Sequence, residues 1–171
     1  MTIAVVQFRA VVVRPVLVEL ELDCRLPASQ VAEDLIVATA AAETELGTFF
    51  VQNQGLALTI FQNQPSSFRD FWPYVIGGGG RWLPALKWAR GDPAWSWDQA
   101  LHYAVTDLSL ATLLARLFYF RVPEPLPMMS SPEALWGTPV TTGYKPNWNS
   151  YLGAATFPKF LAALKAYTDL G

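Results

Sequence analysis

No charged residue lies between Asp34 and Glu43; Leu35, Ile36, Val37, Ala38, Thr39, Ala40, Ala41 and Ala42 fill the gap. Pro27 and Ser29 stand before this stretch as a helix start, and Gly47 stands after it as a stop. Val31, Leu35, Ala38 and Ala42 repeat at helical spacing, so the sequence predicts a helix over residues 28–45. A second long periodicity runs from Trp97 through Leu101, Ala104, Leu108, Ala111 and Ala115 to Phe118 and predicts one helix over 97–120. A third, carried by Phe157, Phe160, Leu161, Leu164 and Tyr167, predicts a helix beginning at Thr156.

The other segments are shorter. Ile3–Phe8 and Ala10–Val13 are Val- and Ile-rich and read as strands, with Pro15 opening a short helix through Leu22. Asn and Gly near residues 53–55 suggest a turn between extended pieces over 48–62. Short helices are expected after Pro65, with Phe68, Phe71 and Trp72 inside, over Arg81–Arg90, and over Pro132–Trp136. Gly77–Gly80 reads as a flexible hinge; no Lys-Ser or Lys-Thr follows, so it is no phosphate loop. The expected fold is mainly α with a small irregular or β insert. Residues 1–28 form a Val-rich N-terminal segment suited to docking, and 29–171 form the main domain.

Composition narrows the function classes. The 171 residues fit one domain, with 52% hydrophobic and 15% charged side chains, against roughly a quarter charged in ordinary domains. That balance excludes a disordered chain and suggests a surface partly covered by partner chains. Eight Arg and four Lys are scattered without a run, which argues against a nucleic-acid ligand. With Cys24 and His102 each the sole residue of its type, neither a disulfide framework nor a zinc site is expected, and no metal or cofactor is implied. Met1–Arg14 does not read as a signal peptide, and no apolar run reaches the length of a membrane helix, so no membrane insertion is expected.

Glu43 is the foremost chemical candidate. On a helix it shares a face with Ile36, Thr39 and Ala40 and sits near the C-terminal end. Desolvation and the helix dipole both disfavour its charge and raise its pKa, as a general acid requires. The plainer alternative is a helix emerging into solvent, as expected at Glu45. Gln62 closes the apolar run Thr59-Ile60-Phe61 and suits a sugar hydroxyl or acetamide; otherwise it is a turn residue near Pro65.

Taken together, Ala41-Ala42-Glu43-Thr44-Glu45-Leu46-Gly47, then Gly55 through Gln62 to Pro65-Ser66-Ser67, resemble the soluble lytic transglycosylase-like family, and most closely its phage-encoded branch. Arg121-Val122-Pro123-Glu124-Pro125-Leu126-Pro127 and Trp148-Asn149-Ser150-Tyr151-Leu152-Gly153 match two later segments of that branch. The similarity spans about residues 30–167.

The resemblance implies a lysozyme-like helical fold that cuts peptidoglycan glycan strands with one Glu. That residue protonates the glycosidic oxygen and then serves as base toward the sugar's C6 hydroxyl, giving a 1,6-anhydro product. Carried over to this chain, Glu43 is the catalytic residue, with Gln62, Thr44, Trp148, Asn149 and Tyr151 at the substrate. Asp70 and Asp107 are the acids to check as a second group, a helix start or surface position being the simpler reading of both.

Three departures stand out: Thr44 in place of Ser, Thr59 where Gly is frequent, and Trp148 in place of the Tyr whose hydroxyl orients the Glu. Tyr151 or Tyr144 could supply that hydroxyl. The β-branched Thr59 could narrow the cleft or demand a different backbone angle.

Three readings follow. The first is a virion-associated lytic transglycosylase, in the tail or inside the particle, acting at the host envelope. The second is a virion structural protein of the same fold with weak or lost activity, in contact with other virion proteins or with further copies of itself. The third is a glycan-binding module built on Trp72, Trp82, Trp88, Trp95 and Trp97, which core packing explains equally well.

Overall fold

The central element is a helix enclosed on nearly every side. The structure, a computed structural model, describes residues 3–48, 51–52, 57–91, 93–138, 140–149 and 154–171. Helix α3 (Gln30–Thr44) carries the chargeless stretch, and eleven of its fifteen residues are buried. A helix apolar all round belongs in a core. Ser29 caps it, its hydroxyl accepting the Ala32 N–H at 3.1 Å. Glu45 and Leu46 follow in the left-handed conformation and end it.

The Val-rich start is helical, not extended. Helix α1 (Val5–Gln7) runs into wider π-helical turns (Phe8–Val13) and then into α2 (Arg14–Cys24). Those wider turns directly precede Pro15, whose ring would meet the carbonyl four residues back in an ordinary α-turn. Phe8, Val13, Val16, Leu17, Leu20 and Cys24 all enter the same core as α3, so this segment packs with the rest of the chain. Tertiary burial of one helical face overrides the strand preference of Val here.

A ladder of two two-residue strands follows, β1 (Val51–Gln52) antiparallel to β2 (Ala57–Leu58). Beyond β2 the chain turns tightly, with Leu58 and Asn63 exchanging backbone bonds. Helix α4 (Pro65–Gly77) buries Phe68, Phe71, Trp72 and Val75. The glycine stretch after it is a turn in which Gly79 and Gly80 take φ +63° and +81°. Arg81 fastens this turn, its Nε donating to the Cys24 carbonyl at 3.0 Å. Helix α5 (Leu83–Arg90) packs on α2.

The periodicity over 97–120 is split in two: α6 (Trp97–Thr106) and α7 (Leu108–Phe120). Asp107 makes the break. Its extended backbone ends one helix, and its carboxylate accepts the Leu110 N–H at 2.9 Å to start the next. Both pieces bury Leu101, Ala104, Ala111 and Ala115 as the spacing required. Helix α8 (Pro132–Trp136), a π-helical turn (Tyr144–Asn149) and α9 (Phe157–Tyr167) complete the chain. All three contact α3. The fold is mainly α, and among the described residues no helix is long and apolar enough to cross a membrane.

The five tryptophans do not share one exposed face, because Trp72 and Trp82 are buried in the core. Trp72 stacks on Phe68 and Trp82 lies edge-on to Phe120, both buried, while Trp95 packs edge-on to Tyr103 and Trp88 is exposed. His102 is exposed on α6, whereas Cys24 is buried.

Candidate active site

Glu43 occupies the last turn of α3, where the buried helix reaches the surface. It is half-buried and lines a cleft of about 340 Å³ with Ala42, Tyr144, Asn149, Ala155, Lys159 and Phe160. The Tyr144 hydroxyl donates to Glu43 Oε1 at 2.9 Å. Burial pushes the Glu43 carboxyl up to about 7, against the smaller opposing effect of the Tyr144 hydrogen bond. A carboxyl of that kind exists in both protonation states near neutral pH, so it can give a proton and take one back.

Tyr144 is held from several sides. Its ring stacks on Phe160, with centroids 5.0 Å apart, and lies 5.7 Å from Trp136. Burial, followed by the Glu43 charge, raises its phenol pKa, so it remains a donor. The chain can reach this position because Gly137 and Gly143 cross closely. A Cβ on Gly137 would lie 2.7 Å from Gly143 Cα, and one on Gly143 would run into the Gly137 backbone. Gly137 also has φ +88°. Two Cβ-free positions therefore set where Tyr144 points.

Asn149 closes the cleft differently. Its Oδ1 accepts from Lys145 Nζ at 3.1 Å and from the Ala155 N–H at 3.2 Å, tying the π-helical turn to the entry of α9.

Thr44, Trp148 and Gln62, expected at the substrate, do not line the cleft, because their polar groups are turned to backbone partners. The Thr44 hydroxyl is buried; it donates toward the Ile60 carbonyl at 2.8 Å and the Ala40 carbonyl at 3.0 Å, and accepts the Gly47 N–H. It stitches the end of α3 to the turn after β2. Trp148 donates its indole N–H to the Phe61 carbonyl at 3.1 Å and packs against Phe61, Phe118 and Tyr119. Gln62 donates Nε2 to the Thr59 carbonyl at 3.0 Å, while its Oε1 is buried without a hydrogen-bond partner among the described residues. Gly55 and Tyr151 lie outside the described residues.

Thr59 adopts φ +73° in a fully buried position. This is the left-handed region that glycine enters freely and a β-branched residue resists. Its Oγ1 accepts from the Phe61 N–H at 3.1 Å and from Asn63 Nδ2 at 2.9 Å.

Among the described residues Glu43 is the only carboxylate lining the cleft. Asp107 is a helix cap 3.6 Å from Arg90, and Asp70 is an exposed neighbour of Arg69. No group of three or more His, Cys, Asp or Glu among the described residues could hold a metal ion.

Two contributors escaped sequence reasoning. Phe160 was legible only as a core residue, and Lys159 at the rim belongs to no motif. The choice of Tyr144 as the orienting hydroxyl depended on the Gly137–Gly143 crossing, which local patterns do not display. Comparison with family models, with curated proteins and with solved structures found no match.

Proposed function

We propose that this chain is a lysozyme-like lytic transglycosylase of a phage virion, cleaving peptidoglycan glycan strands with Glu43 as acid and then base. The observation that supports it is the cleft carboxyl, the only one among the described residues, with a pKa pushed to about 7 and a tyrosine hydroxyl on one of its oxygens. An ordinary glycosidase commonly places a second carboxylate across the cleft. A mechanism that uses the sugar's own C6 hydroxyl needs only one.

Protonated Glu43 donates to the glycosidic oxygen as the C1–O bond breaks. The resulting carboxylate then accepts the C6 hydroxyl proton as that oxygen bonds to C1, closing the 1,6-anhydro ring and restoring the acid. Tyr144 holds Oε1, leaving the other oxygen for the proton transfers.

The test is digestion of purified peptidoglycan by wild type and by Glu43→Gln, with mass spectrometry of the products. Anhydro ends made only by wild type are expected. Reducing ends would replace the lyase with a hydrolase. A companion variant, Tyr144→Phe, removes the bond that lowers the Glu43 pKa. Its carboxyl is expected to titrate above about 7 in a carboxyl-carbon NMR titration.

A second reading, a virion structural protein with weak or lost activity, is favoured by one observation. Val11, Val18 and Leu22 are exposed along the N-terminal helical run at seven- and four-residue spacing. Such an apolar stripe suits burial against another virion protein or another copy. Absence of products from a folded wild type, under conditions where a control enzyme cuts, would favour this reading.

A further inference from the structure

Arg116 is a buried cation with no anion among the described residues. It lies on α7 with 4% of its surface exposed, and its Nε is buried without a hydrogen-bond partner among the described residues. No described carboxylate comes within ion-pair distance, although Arg9, Arg14, Arg69 and Arg90 all have such a neighbour. A buried charge left in this state is costly. Burial lowers its pKa to about 10, which leaves it charged at neutral pH.

Arg116 lines a cavity of about 320 Å³ that shares no lining residue with the Glu43 cleft. Leu26, Tyr119, Phe120, Val122 and Leu126 supply apolar wall. Ser29 also lines it and is the N-cap of the fifteen-residue α3. The Ser29 oxygen already accepts from Ala32, so its hydroxyl proton is the part still to be given. The positive end of the α3 dipole therefore lies on the same cavity as the unpaired arginine. Glu124 lines it too; its backbone carbonyl is engaged by Thr142, and its side chain forms no ion pair with Arg116.

We propose that this cavity binds a small organic carboxylate, the anion paired with Arg116 beside the Ser29 hydroxyl and the apolar body lying on Tyr119, Phe120 and Leu126. One guanidinium and one helix end match a single negative charge. The wall chemistry calls for an apolar remainder, and the volume equals that of about ten waters. A planar guanidinium takes a carboxylate through two parallel bonds. The site is independent of Glu43, so it stands whether or not the chain cuts glycan.

Benzoate and its neutral analogue benzamide are suitable probes, titrated into the full chain by calorimetry and by NMR of the arginine Nε–H resonances. Wild type is expected to bind benzoate saturably and at least about tenfold more tightly than benzamide. The Arg116 Nε–H should shift with the same affinity. Arg116→Met, of similar volume and uncharged, should lose benzoate binding by about tenfold or more. Glu124→Gln should leave it within about threefold.

Equal affinity for benzoate and benzamide would overturn the proposal without any variant. So would unchanged binding in Arg116→Met, or no saturable binding at all. Inorganic phosphate binding in preference to benzoate would replace the carboxylate by a phosphate. A gain of about tenfold in Glu124→Gln would show that Glu124 itself occupies the guanidinium, and would overturn the proposal too.

Discussion

At the scale of single residues, Glu43 links function to stability. Its ordinary pKa of 4.5 is pushed to about 7 in the fold, chiefly by burial. The folded state therefore holds this proton more tightly than the unfolded chain does. The stability linked to protonated Glu43 is fully present below pH 4.5 and is lost as pH rises through about 7. A shift of this size corresponds to about 3 kcal/mol. Glu43→Gln removes the ionisation. It is expected to unfold at higher urea than wild type at pH 8, with the gap closing at pH 5; a gap independent of pH would contradict the assignment. Thr59 makes a different case. It keeps a left-handed backbone while accepting two hydrogen bonds in a buried turn. Thr59→Val retains shape and strain but leaves those donors unmet. Denaturant unfolding should register a loss of about 1–3 kcal/mol with unchanged slope.

At the scale of elements, the crossing of Gly137 and Gly143 aims the π-helical turn that carries Tyr144. Gly143→Ala would place a methyl group on the Gly137 backbone. The turn must then shift, and Tyr144 with it. The expected result is a Glu43 pKa above about 7 and, on the proposed function, slower glycan cleavage, read by NMR titration and product assay. Gly77→Ala is the matched control. A Cβ there meets nothing within 4 Å, and stability should change by less than about 0.5 kcal/mol. The break at Asp107 teaches a related lesson. An apolar face at helical spacing can continue across two helices, because periodicity records which side is buried and says little about whether the backbone is continuous.

At the scale of the whole molecule, one buried arginine joins three distant parts of the chain. Arg9 Nη1 donates to Glu33 Oε1 at 2.8 Å and to Asp34 Oδ1 at 2.6 Å, while Nη2 reaches Asp169 at 2.9 Å. Arg14 adds a bond to the second oxygen of Glu33 at 2.9 Å. The first helical run, the central helix and the C-terminal end are thus held through a single side chain. Arg9→Ala leaves Glu33 with Arg14 alone and Asp34 with only the Gln30 amide at 2.9 Å, and thermal or urea unfolding should show a loss of about 3 kcal/mol. Asp169, whose side chain is 62% exposed, should cost less than about 1 kcal/mol when changed to Ala.

Helix α3, its cap at Ser29 and its end near Gly47 were readable in the sequence because start signals, spacing and stop signals are local. The same holds for α9, for the buried face over 97–120, and for Glu43, whose position at the end of a chargeless helix already implied desolvation. Three features were decided only by the tertiary structure. The helical state of residues 5–24 depends on burying Phe8, Val16 and Leu20 in the shared core, with α2 packed on α5 and α7, and on giving Arg9 its carboxylates, contacts that lie beyond any local window. The choice of Tyr144 as the hydroxyl on Glu43 bridges residues 101 apart and rests on two glycines crossing. The isolation of Arg116 is a property of what surrounds it. Local sequence encodes the period and the ends of a helix; which side chain meets which is set when the helices pack, and there the site acquires its partners and its pKa.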